Sequence, residues 1–248
     1  MDKPRPIASL TKLLTVMTLL DAKLPLDEEI EITRADRDRL KGSRSSLRYG
    51  TVLSREELMM IAVAASDNRA ASALARTYAG GRAAFIDAMN DRARTLGLED
   101  TRFSDASGLH EDNISTGRDL AKVAYIARRY PLIEQWSTTK RFSVLDRASG
   151  AELAFRNTNS LVHRQSWDIE LSKTGFTSEA GNCLLMRTTM AGRRVIVVLL
   201  NSWGKLSKYG DAGRIRRWLI ANERKLAERE THAAWQPAQA GEPLPAAN

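Results

Sequence analysis

The stretch of sequence that most constrains the fold is a helix-forming segment near the start of the chain. Between residues 9 and 21 it is apolar on almost every side, with Leu10, Leu13, Leu14, Val16, Met17, Leu19 and Leu20. A helix that is apolar all round belongs in a core rather than on a surface. The segment is far shorter than the ~20 residues that span a bilayer. The sequence therefore predicts a core helix over residues 9–21 and no transmembrane segment.

One charged residue, Lys12, interrupts this helix. With Ser9 at the N-cap, Lys12 becomes the third helical residue, and residues three apart share a helix face with Cβ atoms ~5–6 Å apart. Burial and the positive helix N-terminus would both lower the lysine pKa. A neutral lysine beside a serine is a general base beside a nucleophile, and the Ser9 N–H could stabilise an oxyanion. The alternative is a lysine whose stem packs in the core while its amine reaches solvent.

The Ser-x-x-Lys spacing is weak evidence by itself, because the chain contains it twice more. Ser137 to Lys140 leads into a strand-like run, and Ser202 to Lys205 follows a strand and contains Gly. Neither pair opens a buried helix. Context therefore favours only the pair Ser9 and Lys12.

Two triplets further along strengthen this interpretation. Ser66-Asp67-Asn68 supplies the Ser-x-Asn pattern, and Lys173-Thr174-Gly175 supplies the Lys-[Ser/Thr]-Gly pattern. Each alone could be structural, as a helix-junction cap and a strand end. Together with Ser-x-x-Lys, in this order, they form the set found in penicillin-binding proteins and class A β-lactamases.

The rest of the chain predicts an α+β fold. A capping box, Ser54-Arg-Glu-Glu57, opens a helical part over about residues 54–138, with Pro131 closing its last predicted helix. Short β-rich runs then predict an antiparallel sheet flanked by helices, including a hairpin around "AGRR". A helix is predicted at about 210–228. We expect one catalytic domain over residues 1–228 and a disordered Pro/Ala-rich tail over 229–248.

Composition excludes several classes of function. The 248 residues carry a net charge of +8, but the basic residues are dispersed and no nucleic-acid motif occurs, so we expect no nucleic-acid partner. The single cysteine, Cys183, excludes an internal disulfide and lies in an apolar run typical of a core. The histidines show no metal-ligand spacing, so we expect no metal and no cofactor (His110, His163 and His232).

The chain resembles the serine D-Ala-D-Ala peptidases, the low-molecular-mass penicillin-binding proteins, and is most similar to the penicillin-binding protein 7 type of D-alanyl-D-alanine endopeptidase. Besides the three motifs, the stretches "AFIDAMNDRARTLGL", "TRFSDASGLH", "STGRDLAKVA" and "FRNTNSLV" carry the similarity, which spans about residues 4–200. The resemblance implies a β-lactamase/transpeptidase-like fold, a periplasmic location, and peptidoglycan peptides and β-lactam antibiotics as partners.

The resemblance also implies roles for individual residues. Ser9 would form the acyl-enzyme with Lys12 as its base, and Ser66 would relay a proton to the leaving amine, helped by Lys12 or Lys173. Asn68 would hold the substrate backbone. The remaining substrate-binding residues lie in one run: Lys173 and Thr174 would bind a carboxylate, Gly175 would admit the substrate as an added strand, and the Phe176 N–H would complete the oxyanion hole with that of Ser9.

The chain departs from the family at its start. Family members carry an export signal and then a strand or hairpin of the sheet before this helix, whereas eight residues precede Ser9. We therefore expect an N-terminal strand and a signal peptide to be missing, in either a truncated form or a chain whose true start lies upstream.

Two rival functions and one open question follow from the sequence. A β-lactamase would need a loop glutamate to activate water, and no clear Glu-x-x-x-Asn element lies between Ser66 and Lys173. If the missing strand disabled the site, the chain would be a non-catalytic peptidoglycan-binding pseudoenzyme. The choice between endopeptidase and carboxypeptidase rests on the resemblance, and the sequence does not indicate an oligomeric state.

Overall fold

The structure, a computed structural model, describes residues 1–223 and residue 225. Its α-helices are α1 (Thr11–Asp21), α2 (Arg55–Met60), α3 (Asn68–Arg76), α4 (Gly81–Thr95), α5 (Gly117–Ile126), α6 (Pro131–Thr138) and α7 (Ser207–Ala221). Its strands are β1 (Arg5–Pro6), β2 (Glu29–Glu31), β3 (Val52–Ser54), β4 (Ile114–Ser115), β5 (Arg141–Leu145), β6 (Glu152–Arg156), β7 (Asp168–Thr177), β8 (Gly181–Met190) and β9 (Arg193–Ser202). The predicted tail at 229–248 lies outside the described residues, as does the end of the helix predicted at 210–228.

Helix α1 forms the centre of the core, as its apolar pattern predicts. Every residue from Thr11 to Leu19 is buried, and α4, α6 and the π-helix Ile61–Ala65 pack around it. Two of its buried threonines satisfy their hydroxyls: Thr11 donates to the Ala8 carbonyl at 2.8 Å and Thr15 to the Ala106 carbonyl at 2.7 Å. The prediction of an enclosed helix is confirmed. The helix is entered through a 3₁₀ turn, Ala8–Leu10, that the sequence did not indicate.

The main sheet is antiparallel, with the order β7-β8-β9 and the predicted tight hairpin between β8 and β9. Because side chains alternate along a strand, β8 has two apolar faces. Cys183 and Leu185 belong to the central core that also contains α1 and α5, whereas Leu184 and Met186 pack in a second cluster with Ala212 of α7. The sheet is thus flanked by helices on both faces, and the predicted α+β class is confirmed. Cys183 is fully buried, and burial raises the pKa of its thiol.

Strand β7 lies at an edge of this sheet and packs against the 3₁₀ turn Ala8–Leu10. The sheet strand that carries the Lys173 motif is therefore placed beside the turn that carries Ser9. Strand β1, which precedes that turn, pairs with β4 rather than with the main sheet. Strands β5 and β6 form a separate hairpin.

Helices α2 to α6 lie between Arg55 and Thr138, within the range predicted to be helical. The predicted capping box is confirmed, since Ser54 Oγ accepts from the Glu57 N–H at 3.1 Å and Glu57 Oε2 accepts from the Ser54 N–H at 2.7 Å. The helical segment before Pro131 ends at Arg129, as predicted, and Pro131 also opens α6, which the sequence did not indicate. A proline in the first helical turn loses no hydrogen bond, so it can begin a helix as well as follow one.

Candidate active site

Ser9 lies inside the 3₁₀ turn and not at an N-cap, so that part of the prediction is wrong. The preceding residue, Ala8, has a φ of 47°, in the left-handed region that alanine rarely adopts. This sharp turn frees the serine hydroxyl from capping the helix. Ser9 Oγ instead accepts a hydrogen bond of 2.8 Å from Lys12 Nζ, so the local three-residue spacing does bring the two groups together.

Lys12 is fully buried, so the alternative of a solvent-reaching amine does not hold. Its Nζ donates to three acceptors: Ser9 Oγ, Asn68 Oδ1 at 2.6 Å and the Ser107 carbonyl at 2.7 Å. Burial lowers the Lys12 pKa to about 8. Nearby aspartates oppose this shift (Asp105, Asp67 and Asp38). A substantial fraction of the amine is therefore neutral just above neutral pH, as a general base requires.

Ser66 and Lys173 form a second hydroxyl–amine pair. Ser66 ends the π-helix Ile61–Ala65 with a φ of 60°, a second left-handed residue that is not glycine. Lys173 Nζ donates to Ser66 Oγ at 2.7 Å and to the Thr174 carbonyl at 3.0 Å. Burial lowers the pKa of Lys173 well below its usual value, and the charges of Lys12 and Lys208 lower it further. Burial is thus the largest cause of the lowered pKa at both amines, and the charge of Lys12 adds to it at Lys173.

Asn68 lies beside Lys12, two residues along the chain from Ser66. It begins α3, directly after Asp67, whose carboxylate caps that helix by accepting from the Arg69 and Ala70 N–H groups. The Asn68 side chain accepts from Lys12 and donates to Ser43 Oγ at 2.8 Å. Its position beside the lysine is therefore held from both ends. Its substrate-binding role stays a prediction.

The remaining predicted residues lie along the edge strand β7. The hydroxyls of Thr174 and Thr158 share a hydrogen bond of 2.6 Å. Gly175 packs on the backbone of Ser9: a Cβ added there would lie 3.0 Å from Ser9 N. The next side chain, Phe176, is 64% exposed. The structure thus gathers Ser9, Lys12, Ser66, Asn68 and Lys173 in one cluster and places residues 174–176 beside it, while their individual roles stay predictions.

A loop that sequence reasoning left without a role forms another wall of the site. The Ser107 carbonyl accepts from Lys12, and Gly108 packs directly on the Ala8–Ser9 peptide. Asp105 holds this loop, because its carboxylate accepts from the Ser107 hydroxyl at 2.8 Å and from the Gly108 N–H at 2.6 Å. The run "SDASG" carries a signal for such a loop, since aspartate side chains stabilise turns by accepting from backbone N–H groups two or more residues on.

The lowered pKa of Lys12 predicts a pH dependence. If neutral Lys12 removes the Ser9 proton, acylation of Ser9 by penicillin should rise about tenfold between pH 7 and pH 9, with a midpoint near the lysine's pKa of about 8. The rate rises with pH because the amine must lose its proton to act as a base. Stopped samples analysed by intact mass give the rate, and circular dichroism at each pH controls for unfolding. A flat profile would contradict this assignment.

Within residues 1–223 and 225, no cluster of three or more His, Cys, Asp or Glu residues is arranged to hold a metal ion. Among the same residues, none of the helices is long and apolar enough to cross a membrane.

Comparison with protein families gives a match over most of the chain. The sequence profile described as D-alanyl-D-alanine carboxypeptidase, a peptidase family, matches residues 1–204. Among curated proteins, the D-alanyl-D-alanine endopeptidase of Pseudomonas aeruginosa is 47% identical over 214 residues, which are 86% of this chain and 69% of that protein. The D-alanyl-D-alanine endopeptidase of Escherichia coli is 44% identical over 218 residues, covering 88% of this chain and 70% of that protein.

Comparison with solved structures agrees with the sequence matches. The crystal structure of a Streptomyces DD-transpeptidase superposes with a TM-score of 0.80 at 29% identity and covers 89% of each chain. A Streptomyces D-alanyl-D-alanine carboxypeptidase is 30% identical over 235 residues, which are 89% of this chain and 80% of that protein. The predicted resemblance and the predicted fold are both confirmed by these similarities.

Proposed function

Because this chain belongs to the D-alanyl-D-alanine carboxypeptidase family of serine peptidases, we propose that it hydrolyses D-alanyl peptide bonds of peptidoglycan through an acyl-enzyme on Ser9. The observation that carries the proposal is the contact of 2.8 Å between Ser9 Oγ and the fully buried amine of Lys12. That contact places a base of lowered pKa against a hydroxyl at the entrance of a buried helix.

Acylation begins with a proton transfer along this contact. When Lys12 is neutral, the Ser9 hydroxyl donates to Nζ, and the proton moves to the amine as Oγ bonds to the D-alanyl carbonyl carbon. The backbone N–H groups of Ser9 and Phe176 would stabilise the oxyanion, by the family's pattern. The carbon–nitrogen bond then breaks, leaving an ester on Ser9.

The leaving amine needs a proton, and we assign its delivery to Ser66. Ser66 Oγ lies 2.7 Å from Lys173 Nζ, so a proton that it gives to the amine can be replaced from that lysine. Exchange with solvent first removes the proton that Lys12 took from Ser9 and restores the one that Lys173 supplied. Water then attacks the ester while neutral Lys12 accepts its proton, and Lys12 returns that proton to Ser9 Oγ as the ester bond breaks. Two moderate barriers thereby replace one large barrier.

Substrate binding follows from the edge position of β7. An extended peptide can pair with an open strand edge, and a side chain at Gly175 would crowd the Ser9 backbone 3.0 Å away. Lys173 and Thr174 lie on the same strand, where they can bind a substrate carboxylate. An arriving carboxylate would raise the pKa of Lys173 and favour its charged form.

The endopeptidase activity is the finer part of the proposal. It is supported by the relatives above 40% identity, which are named endopeptidases, whereas the carboxypeptidases are at most 30% identical. We propose cross-linked stem peptides as substrates and the periplasm as the place of action. β-Lactams, as acylating analogues of the D-alanyl unit, are the matching inhibitors.

Incubation with benzylpenicillin tests the proposal directly. We expect one adduct per chain, located on Ser9 by peptide mapping and absent from Ser9→Ala, and we expect it to persist while excess penicillin is removed. Fast turnover of penicillin would instead indicate a β-lactamase. Folded protein that forms no adduct would indicate a pseudoenzyme. Digestion of cross-linked muropeptide dimers separates endopeptidase from carboxypeptidase, since the first yields monomers and the second releases D-alanine alone.

A further inference from the structure

A second concave surface lies between helix α7 and the segment that precedes β7. This groove has a volume of about 600 Å³, and the 3₁₀ turn Ser160–His163 with the residues after it forms one wall. The side chains that matter for its chemistry are Arg164, Trp167, Tyr209, Gly213, Arg216 and Arg217. We refer to it below as the α7 groove.

The α7 groove is strongly cationic. Its described lining residues include four arginines and no aspartate or glutamate. Arg214 pairs with Asp211, but within residues 1–223 and 225 Arg164, Arg216 and Arg217 have no carboxylate partner. Arg216 instead lies over the Trp167 ring, 5.2 Å from its centroid. Three guanidinium groups are thus available to an anionic ligand.

A second basic cleft on the molecule shows the contrast. It is lined by arginines that include Arg187 and Arg194, but also by Glu134 and Glu170. Arg187 bonds to both glutamates, and Arg194 lies 3.6 Å from Glu170. Two of its four arginines are therefore paired with carboxylates, whereas in the α7 groove only Arg214 is.

The α7 groove adjoins the candidate active site. Tyr209 in its wall donates from its hydroxyl to the Thr158 carbonyl at 3.1 Å, and Thr158 shares a hydrogen bond of 2.6 Å with Thr174. From Tyr209 the wall follows α7 to Ile220, about 16 Å at 1.5 Å per residue. That length matches about five residues of extended peptide.

We propose that the α7 groove binds the free carboxylates of polymeric peptidoglycan, at a distance from the bond cleaved at Ser9. The inference rests on the proposed function for the identity of the polymer. Guanidinium groups bind carboxylates through paired hydrogen bonds, and stem peptides carry free carboxylates along an extended chain. A flat lipid surface fits the concave shape less well. The groove would favour polymeric peptidoglycan over short peptides, because it would hold a neighbouring part of the same peptidoglycan polymer.

The test measures binding of Ser9→Ala protein to purified, insoluble peptidoglycan, so that it does not depend on catalysis. Changing Arg164, Arg216 and Arg217 to Gln should weaken binding about five- to tenfold, from three exposed charge contacts of modest strength each. The matched control changes three exposed cations elsewhere to Gln (Arg34, Lys140 and Arg141), with the same loss of net charge. Thermal denaturation checks that both variants fold.

Two further arms identify the ligand. Amidating the peptidoglycan carboxyl groups should abolish the difference between the two Gln variants. Replacing the three groove arginines by Lys should retain only part of the binding, because lysine keeps the charge but cannot form the paired hydrogen bonds. A lipid surface is the main rival ligand, because large apolar side chains are exposed nearby (Trp203, Leu206, Trp218 and Ile220). Binding to vesicles that contain phosphatidylglycerol tests this alternative.

The outcomes separate cleanly. Equal loss in the groove variant and the control, or no loss in either, would overturn the proposal. Groove-dependent binding to vesicles with unchanged binding to peptidoglycan would also overturn it, in favour of a lipid surface. Failure of the proposed function would appear elsewhere, as the absence of a penicillin adduct on Ser9 in the unmutated protein.

Discussion

Replacing Lys12 by methionine should lower the rate of Ser9 acylation by penicillin between about a hundredfold and ten-thousandfold, the range that general-base catalysis supplies. Methionine has a similar volume and stays buried, so packing around α1 is preserved. The variant loses the group 2.8 Å from Ser9 Oγ that accepts its proton. Acylation at high pH should not recover, because no other described amine or carboxylate hydrogen-bonds to Ser9 Oγ.

The stability of this variant should change far less than its activity. A Lys12 pKa of about 8 in the folded state against 10.5 in the unfolded state costs about 3 kcal/mol at pH 7. The sign follows from the direction of the shift: the cost is complete below pH 8 and disappears above pH 10.5. Methionine relieves this cost but leaves Asn68 Oδ1 and the Ser107 carbonyl without their donor, at about 1–3 kcal/mol each. The opposing effects should largely cancel.

The matched control for Lys12→Met is Lys140→Met, which alters the exposed lysine of a second Ser-x-x-Lys sequence. It should acylate at the rate of the unmutated protein. Fluorescent penicillin followed on gels gives the acylation rates, and urea denaturation gives the free energies of unfolding. Retention of acylation within tenfold in Lys12→Met would rule out Lys12 as the base.

Gly108→Ala should also inactivate the protein, by a purely steric route. Gly108 has a φ of +82°, and a Cβ added there would lie 2.0 Å from the Ala8 carbonyl oxygen and 2.9 Å from Ser9 N. Both contacts are with backbone, so no side-chain rotation can relieve them. The Ala8–Ser9 peptide or the loop around Gly108 must move. Since a misplacement of ~1 Å can cost about a hundredfold in rate, we expect at least that loss of acylation.

The same substitution should lower the free energy of unfolding by about 2–4 kcal/mol, from overpacking together with the left-handed conformation. Gly150→Ala separates the two contributions. Gly150 has a φ of +71° but no atom within 4 Å of an added Cβ, so alanine there meets only the conformational cost. We expect Gly150→Ala to acylate normally. If Gly108→Ala acylated within threefold of the unmutated protein, the Ala8–Ser9 peptide would not be held as described.

Local sequence patterns predicted much of the fold. The apolar run predicted the buried helix, the Ser54 capping box predicted the start of α2, and short β-rich runs predicted the strands of the main sheet. These features depend on neighbours within a few residues, which a sequence displays directly. Local sequence did not indicate that Pro131 also opens α6, because a proline can follow one helix and begin the next.

The special backbone of the site was not predictable in this way. Ala8 and Ser66 both adopt left-handed conformations, and the residues before Ser66 form a π-helix. Such conformations oppose the local preference of alanine and serine, and they persist only where surrounding packing compensates their cost. Gly108, which packs on the Ala8–Ser9 peptide, is part of that packing, but it is about a hundred residues away in the chain.

The sequence by itself determined the pairing of Ser9 with Lys12, because a three-residue spacing in a helical segment brings two side chains together wherever the segment lies. Only the tertiary structure decided that the lysine is buried with a pKa near 8, since that depends on chain segments that enclose α1. It also placed Lys173 on Ser66 across 107 residues and assembled the cationic α7 groove. A local sequence pattern predicts contacts only between residues that are close along the chain. Burial of a side chain and proximity of charges depend on segments that are distant in the chain and pack together.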